Sequence, residues 1–136
     1  VLMSGKNHFA SVNVIIIDDN DTTRAMLRSI LRSEGVDVVA EARDGASGLA
    51  MVKKHRPGVV CLDVLMPDMG GLEVLAQVRR EFPEIRVIMV TGSTDRDTVQ
   101  SAVQGGAAAY LVKPFNVAKV LAALEMAIGR KPLHDS

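Results

Sequence analysis

The chain has 136 residues, enough for one domain with a real core and too few for two ordinary ones. Hydrophobic residues make up 48%, yet no run approaches the ~18–20 apolar residues that span a bilayer, and the opening VLMSGKNHFASVN lacks the apolar core of a signal peptide, so a soluble, cytoplasmic protein without membrane contact is expected. Lys+Arg and Asp+Glu balance at 16 each, so no basic excess marks a nucleic-acid surface, and the one cysteine, Cys61, excludes an intramolecular disulfide.

Short β-branched runs alternate with helical patterns along the whole chain. Residues 1–11 read as an N-terminal tail, 12–129 as one domain, and 130–136 as a polar C-terminal tail or the stub of a linker. The first strand is VNVIIID (12–18). DTTRAMLRSILRSEG then places Met26, Leu27, Ile30 and Leu31 on one helical stripe and stops at Gly35. VDVVAEA (36–42) reads as strand and GASGLAMVKKH (45–55) as helix. GVVCLD forms a third strand, in which Cys61 is a small core residue. It is followed by a helix, GLEVLAQVRREF, with Leu72, Leu75 and Val78 inward and Pro83 closing it. RVIMVTG (86–92) is the fourth strand. DRDTVQSAVQGG is a helix capped by Thr94 or Asp95 and ended by Gly105-Gly106. AAAYLVK is the fifth strand, and the last helix places Val117, Val120, Leu121, Leu124 and Ile128 on one face. Methionines such as Met26 and Met89 read as inward packing.

Five β-then-α units predict an α/β fold, a parallel sheet with helices on both faces, whose strand order periodicity does not reveal. In such sheets ligands gather beyond the carboxyl ends of the strands. There the first strand carries Asp18-Asp19, the third Asp63, the fourth Thr91 with Gly92 and Ser93, and the fifth Lys113-Pro114. Crowded carboxylates repel and hold protons unless a cation joins them, and one lysine does not neutralise three. A hard divalent cation such as Mg²⁺ does, using few carboxylates and completing its shell with water and phosphate oxygens. A cation, an ammonium and a hydroxyl together suit a transferring phosphoryl group, and a carboxylate can itself be the nucleophile. No Gly-x-x-x-x-Gly-Lys loop is present to cradle a nucleotide. Each residue alone has an ordinary reading: Asp18-Asp19 as a helix cap, Lys113 as a surface lysine, Tyr110 as a half-buried strand aromatic.

IIIDDNDTTR, CLDVLMPDMGG, VTG and YLVKPF, in this order and spacing, resemble the receiver domain of two-component response regulators from about Val12 to Ile128. The resemblance implies a flavodoxin-like (βα)5 sheet of order 2-1-3-4-5, the order of the chemotaxis member of the family. It implies that Asp63 is the phosphoacceptor, supplied by a sensor histidine kinase or histidine phosphotransfer protein docking near Thr22 to Met26. Asp18, Asp19, Asp63 and the backbone carbonyl of Leu65 correspond to the Mg²⁺ ligands, and Lys113 to the lysine that pairs with Asp63. Thr91 and Tyr110 correspond to the switch that reshapes the surface of the fourth helix, fifth strand and fifth helix for an unknown output partner. The resemblance also allows a phosphorylation-dependent homodimer, a cis Lys113-Pro114 bond, and a chain that catalyses its own phosphorylation and dephosphorylation without being a turnover enzyme. Direct nucleic-acid contact by this chain is not expected.

Three positions depart from the usual pattern. Gly70 stands where Asp or Asn is common and Gly92 where Ala is frequent. Leu65, which with Ser93 tunes loss of the phosphoryl group, is apolar and so predicts slow to moderate self-dephosphorylation. Two other functions compete. An aspartyl-nucleophile phosphatase wants a second carboxylate two residues after the nucleophile, where Leu65 stands. A phosphorylation-independent docking module would have no need of the complete residue set.

Overall fold

Parallel pairing organises the computed structural model, which describes residues 9–92 and 96–129. The strands are β1 (Asn13–Ile17), β2 (Asp37–Ala42), β3 (Val59–Asp63), β4 (Arg86–Thr91) and β5 (Ala109–Val112). The helices are α1 (Asp21–Ser33), α2 (Gly45–His55), α3 (Gly71–Glu81), α4 (Arg96–Gln104) and α5 (Val117–Ala127). The sheet order is β2-β1-β3-β4-β5, so the chain reverses its direction of travel between β1 and β3. The expected capping residues of α4, Thr94 and Asp95, lie outside the described residues, as do Ser93, residues 1–8 of the N-terminal tail and the whole C-terminal tail.

Alternation along the central strands divides the core into two layers. Val14, Ile16, Val59, Cys61, Ile88, Val90 and Leu111 pack with Leu27 and Leu31 of α1 and Val120 and Leu124 of α5. Ile15, Ile17, Val60, Leu62, Val87 and Met89 pack on the other face with Leu49 and Val52 of α2 and Val74, Leu75 and Val78 of α3. Each large aliphatic side chain removed from water contributes roughly 1.5–3 kcal/mol, which is why strands sandwiched on both faces read as unbroken apolar runs. Burial pushes the Cys61 thiol up to about 12, so it stays protonated as a packing residue.

Three inward assignments fail. Met26 and Val117 are exposed, and Leu72 lies at the boundary of exposure. Leu72 and Val117 sit at the start of their helices and Met26 in the middle of α1, all three at the margin of the apolar stripe. The buried rows run instead through Leu27 and Leu31 in α1, Gly71, Val74, Leu75 and Val78 in α3, and Val120, Ala123, Leu124 and Ala127 in α5. Small residues (Gly71, Ala123, Ala127) set the facing rows because they let helix and sheet approach closely.

Candidate functional site

Strand parity aims the site residues. Asp63 continues the Val59-Cys61 row, Asp18 the Val14-Ile16 row, and Lys113 the Ala109-Leu111 row, so all three rise from one layer at the carboxyl edge. The turn after β1 is tightly specified. Asp18 N–H donates to the Ala42 carbonyl at 3.0 Å, Asp18 Oδ1 accepts from Asn20 N–H at 2.8 Å, and Asn20 in turn caps α1 through Thr23 N–H. Asp63 ends β3 opposite Val90, and the next amide, Val64 N–H, prolongs the ladder to the Val90 carbonyl. Gly71 permits the chain to fold back here: a Cβ on it would lie 2.1 Å from the Asp63 carbonyl oxygen.

The side chains of Asp18, Asp19 and Asp63 each offer an oxygen within 4.8 Å of the others, with Asp18 and Asp63 buried and Asp19 exposed. Lys113 Nζ lies 3.4 Å from Asp18 Oδ2 and 3.8 Å from Asp63 Oδ1. Burial, then the Asp18 charge, pushes the Asp63 carboxyl from 3.8 up to about 7; Lys113 and the Leu65 N–H, 3.4 Å from Oδ1, pull the other way. Asp18 Oδ2 is buried without a hydrogen-bond partner. A buried carboxylate oxygen with no hydrogen bond, offset only by the Lys113 ammonium at 3.4 Å and set beside two more carboxylates, belongs to the donor set a hard divalent cation takes. The residues therefore fit Mg²⁺.

Thr91 is buried at the end of β4, and its carbonyl accepts from Lys113 N–H at 2.7 Å, which locks the lysine's backbone to the fourth strand. The Lys113-Pro114 bond is cis. Tyr110 stands apart from the acidic cluster: 46% exposed, it lines one depression with Arg96, Val99 and Gln100 of α4 and another with Met126 of α5. Met26, misread as core, borders a depression with Thr23, Gly92, Lys113, Pro114 and Phe115.

Two residues that sequence reasoning passed over shape the site. Arg24 closes the quoted motif IIIDDNDTTR, and its Nη1 donates to the Asp18 carbonyl at 2.6 Å while Nε lies 3.5 Å from Glu41. Asp68, in the loop after Asp63, accepts from the amides of Gly45 and Ala46 at the start of α2. Both stand inside quoted motifs, Arg24 in IIIDDNDTTR and Asp68 in CLDVLMPDMGG, which was a usable signal, but nothing in the sequence named the partner of either.

Fold and site together define a flavodoxin-like α/β domain whose carboxyl edge carries a metal-capable acidic cluster paired with a lysine. The chain matches the family described as Response regulator receiver domain over residues 14–125. Chemotaxis protein CheY of Listeria monocytogenes is 37% identical over 116 residues, covering 85% of this chain and 98% of that protein. Transcriptional regulatory protein PdtaR of Mycobacterium tuberculosis is 35% identical over 119 residues, covering 86% of this chain but 57% of that protein. Among solved structures, the signal receiver domain of NarL from Mycobacterium tuberculosis superposes with a TM-score of 0.81 at 37% identity, covering 88% of this chain and 98% of that one. The CheX–CheY–BeF3–Mg²⁺ complex from Borrelia burgdorferi gives a TM-score of 0.86 at 30% identity, covering 94% of this chain and 100% of that one. This chain belongs to the response regulator receiver domain family, and its sheet order is the one that the family resemblance implied. No described helix is long and apolar enough to cross a membrane.

Proposed function

We propose that this chain is a phosphoryl-accepting signalling switch in which Asp63 is the acceptor. The observation that carries this reading is the meeting of Asp18, Asp19 and Asp63 within 4.8 Å beside Lys113. An Asp63 carboxylate oxygen attacks the phosphorus of a phosphohistidine; the new O–P bond forms as the N–P bond breaks, and the electron pair leaves with the imidazole. Asp18, Asp19, Asp63 and the Leu65 carbonyl would hold Mg²⁺. When bound, Mg²⁺ supplies the positive charge that offsets the carboxylates and the phosphoryl oxygens. Lys113, between Asp18 and Asp63, is placed to exchange a carboxylate partner for a phosphoryl oxygen as charge builds. The Mg²⁺ and beryllofluoride in the Borrelia CheY complex support carrying this chemistry across.

The chain catalyses this transfer on itself without turning over a separate substrate. The donor is a sensor histidine kinase or phosphotransfer protein, and its docking ground is the α1 side of the site. There Thr23 and Met26 border the depression that reaches Lys113, which supports an approach by an apolar partner surface. Output runs through Thr91 and Tyr110. Thr91 moves toward the new phosphoryl group and Tyr110 turns inward from its exposed position, changing the face formed by α4, β5 and α5. The Leu65 side chain offers no hydrogen bond to orient an attacking water, so self-dephosphorylation is slow to moderate, and a phosphoryl half-life of seconds would count against this.

Intact mass after incubation with acetyl phosphate and Mg²⁺, with an Asp63→Asn control, tests the reading. One added phosphoryl group that requires Mg²⁺, is removed by hydroxylamine and is missing from the control supports it. No adduct on the folded wild-type chain overturns it in favour of a docking module.

A further inference from the structure

The loop that follows Asp63, residues 64–70, is tied to the fold at both ends and in its middle. At the ends, Val64 N–H donates to the Val90 carbonyl at 3.0 Å, and Gly71 N–H donates to the Val64 carbonyl at 2.8 Å. In the middle, Asp68 reaches α2: Oδ1 accepts from Gly45 N–H at 3.0 Å and Oδ2 from Ala46 N–H at 3.1 Å. Helix α2 has its own cap as well, Asp44, which accepts from Ser47 N–H at 2.7 Å. Two carboxylates thus satisfy the three leading amides, one local and one lent by the loop beside the acceptor. The contact is close along its length, since a Cβ on Gly45 would lie 2.9 Å from Met69 Cβ and 3.3 Å from the Met69 carbonyl oxygen. The helix-start amides, Gly45 first, hold the Asp68 carboxyl below its ordinary range, so it stays a full anion facing the positive end of α2.

We propose that Asp68 is a positioning residue for the acceptor site: its grip on the start of α2 holds the 64–70 loop, and with it the Leu65 amide, against Asp63. This rests on the reading of Asp63 as acceptor. The Leu65 N–H reaches Asp63 Oδ1 at 3.4 Å, long enough that a small drift of the loop removes it. Leu65 has no burial to restrain it, being 77% exposed. Without Asp68 the loop keeps its end bonds and the packing of Met66 and Met69 on the core, but it loses its two hydrogen bonds to α2, the polar tie that fixes the backbone beside the acidic cluster. A carboxylate that merely capped α2 would act as Asp44 does, and Asp44 makes no contact with the loop through its cap bond.

The test compares wild type, Asp68→Ala, Asp68→Asn and Asp44→Ala. It measures Mg²⁺ affinity by calorimetry, phosphoryl uptake by intact mass, and the exchange rate of the Leu65 amide by NMR. Asp68→Ala is expected to weaken Mg²⁺ binding about tenfold, as loss of an outer support of a metal site typically does, and to speed Leu65 exchange. Asp68→Asn keeps one acceptor oxygen, falls between, and serves if the alanine variant does not fold. Asp44→Ala also uncaps α2 but should retain wild-type Mg²⁺ affinity and Leu65 exchange. If the Asp68 and Asp44 variants behave alike, changed or unchanged, the positioning role is overturned while the acceptor reading stands. A wild-type chain that takes neither Mg²⁺ nor a phosphoryl group overturns the acceptor reading and the positioning role with it.

Discussion

Lys113 is closer to Asp18 than to Asp63, with Nζ 3.4 Å from Asp18 Oδ2 and 3.8 Å from Asp63 Oδ1. The ammonium is therefore shared, and it partly offsets the charge of a buried oxygen, Asp18 Oδ2, that has no hydrogen bond. A cation already sitting there repels a second one. Lys113→Ala should tighten Mg²⁺ binding several-fold in calorimetry while slowing phosphoryl uptake from acetyl phosphate about 100-fold, the usual effect of removing a charge that stabilises a transition state. Opposite signs for the two effects are the diagnostic. If both fall together, Lys113 acts by holding the site's shape and its charge is incidental.

The raised carboxyl of Asp63 makes a statement about stability. Its value goes from 3.8 to about 7 on folding, chiefly by burial. Between those limits the folded chain keeps a proton that the unfolded chain has released, so this group's contribution to stability is fully present below about pH 4 and is lost as pH rises through 7. Metal-free Asp63→Asn should match wild type in urea denaturation near pH 4 and exceed it by about 1–3 kcal/mol at pH 8, well discounted for solvent screening. Saturating Mg²⁺ should close the gap, because it binds the wild-type cluster preferentially. An asparagine variant less stable than wild type at pH 8 without metal would contradict the electrostatic account.

Asp63 was legible in the sequence because an apolar run buried on both faces ended on a charge, and Asp18 and Lys113 because two other runs did the same. Strand parity then carried them to one layer. Met26, Leu72 and Val117 were misplaced for the reason those strands were easy: hydrophobicity reports what a residue tolerates, and at the edge of an apolar stripe nothing need lie beneath it. The contact of Asp68 with Gly45 spans 23 residues and depends on the path of a loop, and a lone Asp after a turn proline encodes no such partner. Taken alone Tyr110 reads as a half-buried strand aromatic, and only the family resemblance marks it as a switch residue; it is 46% exposed on β5, beside α4 and α5.

Two adjacent glycines should respond in opposite ways to substitution. At Gly71 a Cβ would meet backbone, 2.1 Å from the Asp63 carbonyl oxygen and 2.7 Å from Val64 Cα. Neither atom can yield without shifting Asp63, so Gly71→Ala should cost about 3 kcal/mol and, on the proposed function, impair phosphoryl uptake. At Gly70 nothing lies within 4 Å, and φ −62, ψ 151 suits an N-cap residue, yet α3 begins without a side-chain cap. Gly70→Asp should therefore stabilise the domain by about 0.5 kcal/mol through a cap and a stiffer unfolded chain. Thermal denaturation of the two variants checks both signs, and a loss at Gly70 would mean that the new carboxylate does not cap α3.

Arg24 joins three elements. Nη1 donates to the Asp18 carbonyl at 2.6 Å, Nη2 pairs with Asp21 at the start of α1, and Nε faces Glu41 of β2 at 3.5 Å. Arg28 holds the same glutamate from the next turn of α1, its Nη1 2.9 and 2.7 Å from the two oxygens. The two arginines are not equivalent. Arg28→Ala leaves Glu41 still facing Arg24 and removes a half-exposed pair, so it should cost no more than about 1 kcal/mol. Arg24→Ala strips the Asp18 carbonyl of its donor as well, so it should cost about 1–3 kcal/mol and weaken Mg²⁺ binding by loosening the Asp18-Asp19 turn. Arg24→Lys should recover little, because one ammonium does not fork among a carbonyl and two carboxylates. Urea denaturation with parallel Mg²⁺ titration separates these outcomes: an Arg24→Lys variant with wild-type metal affinity would show that charge alone, and not the fork, steadies the turn.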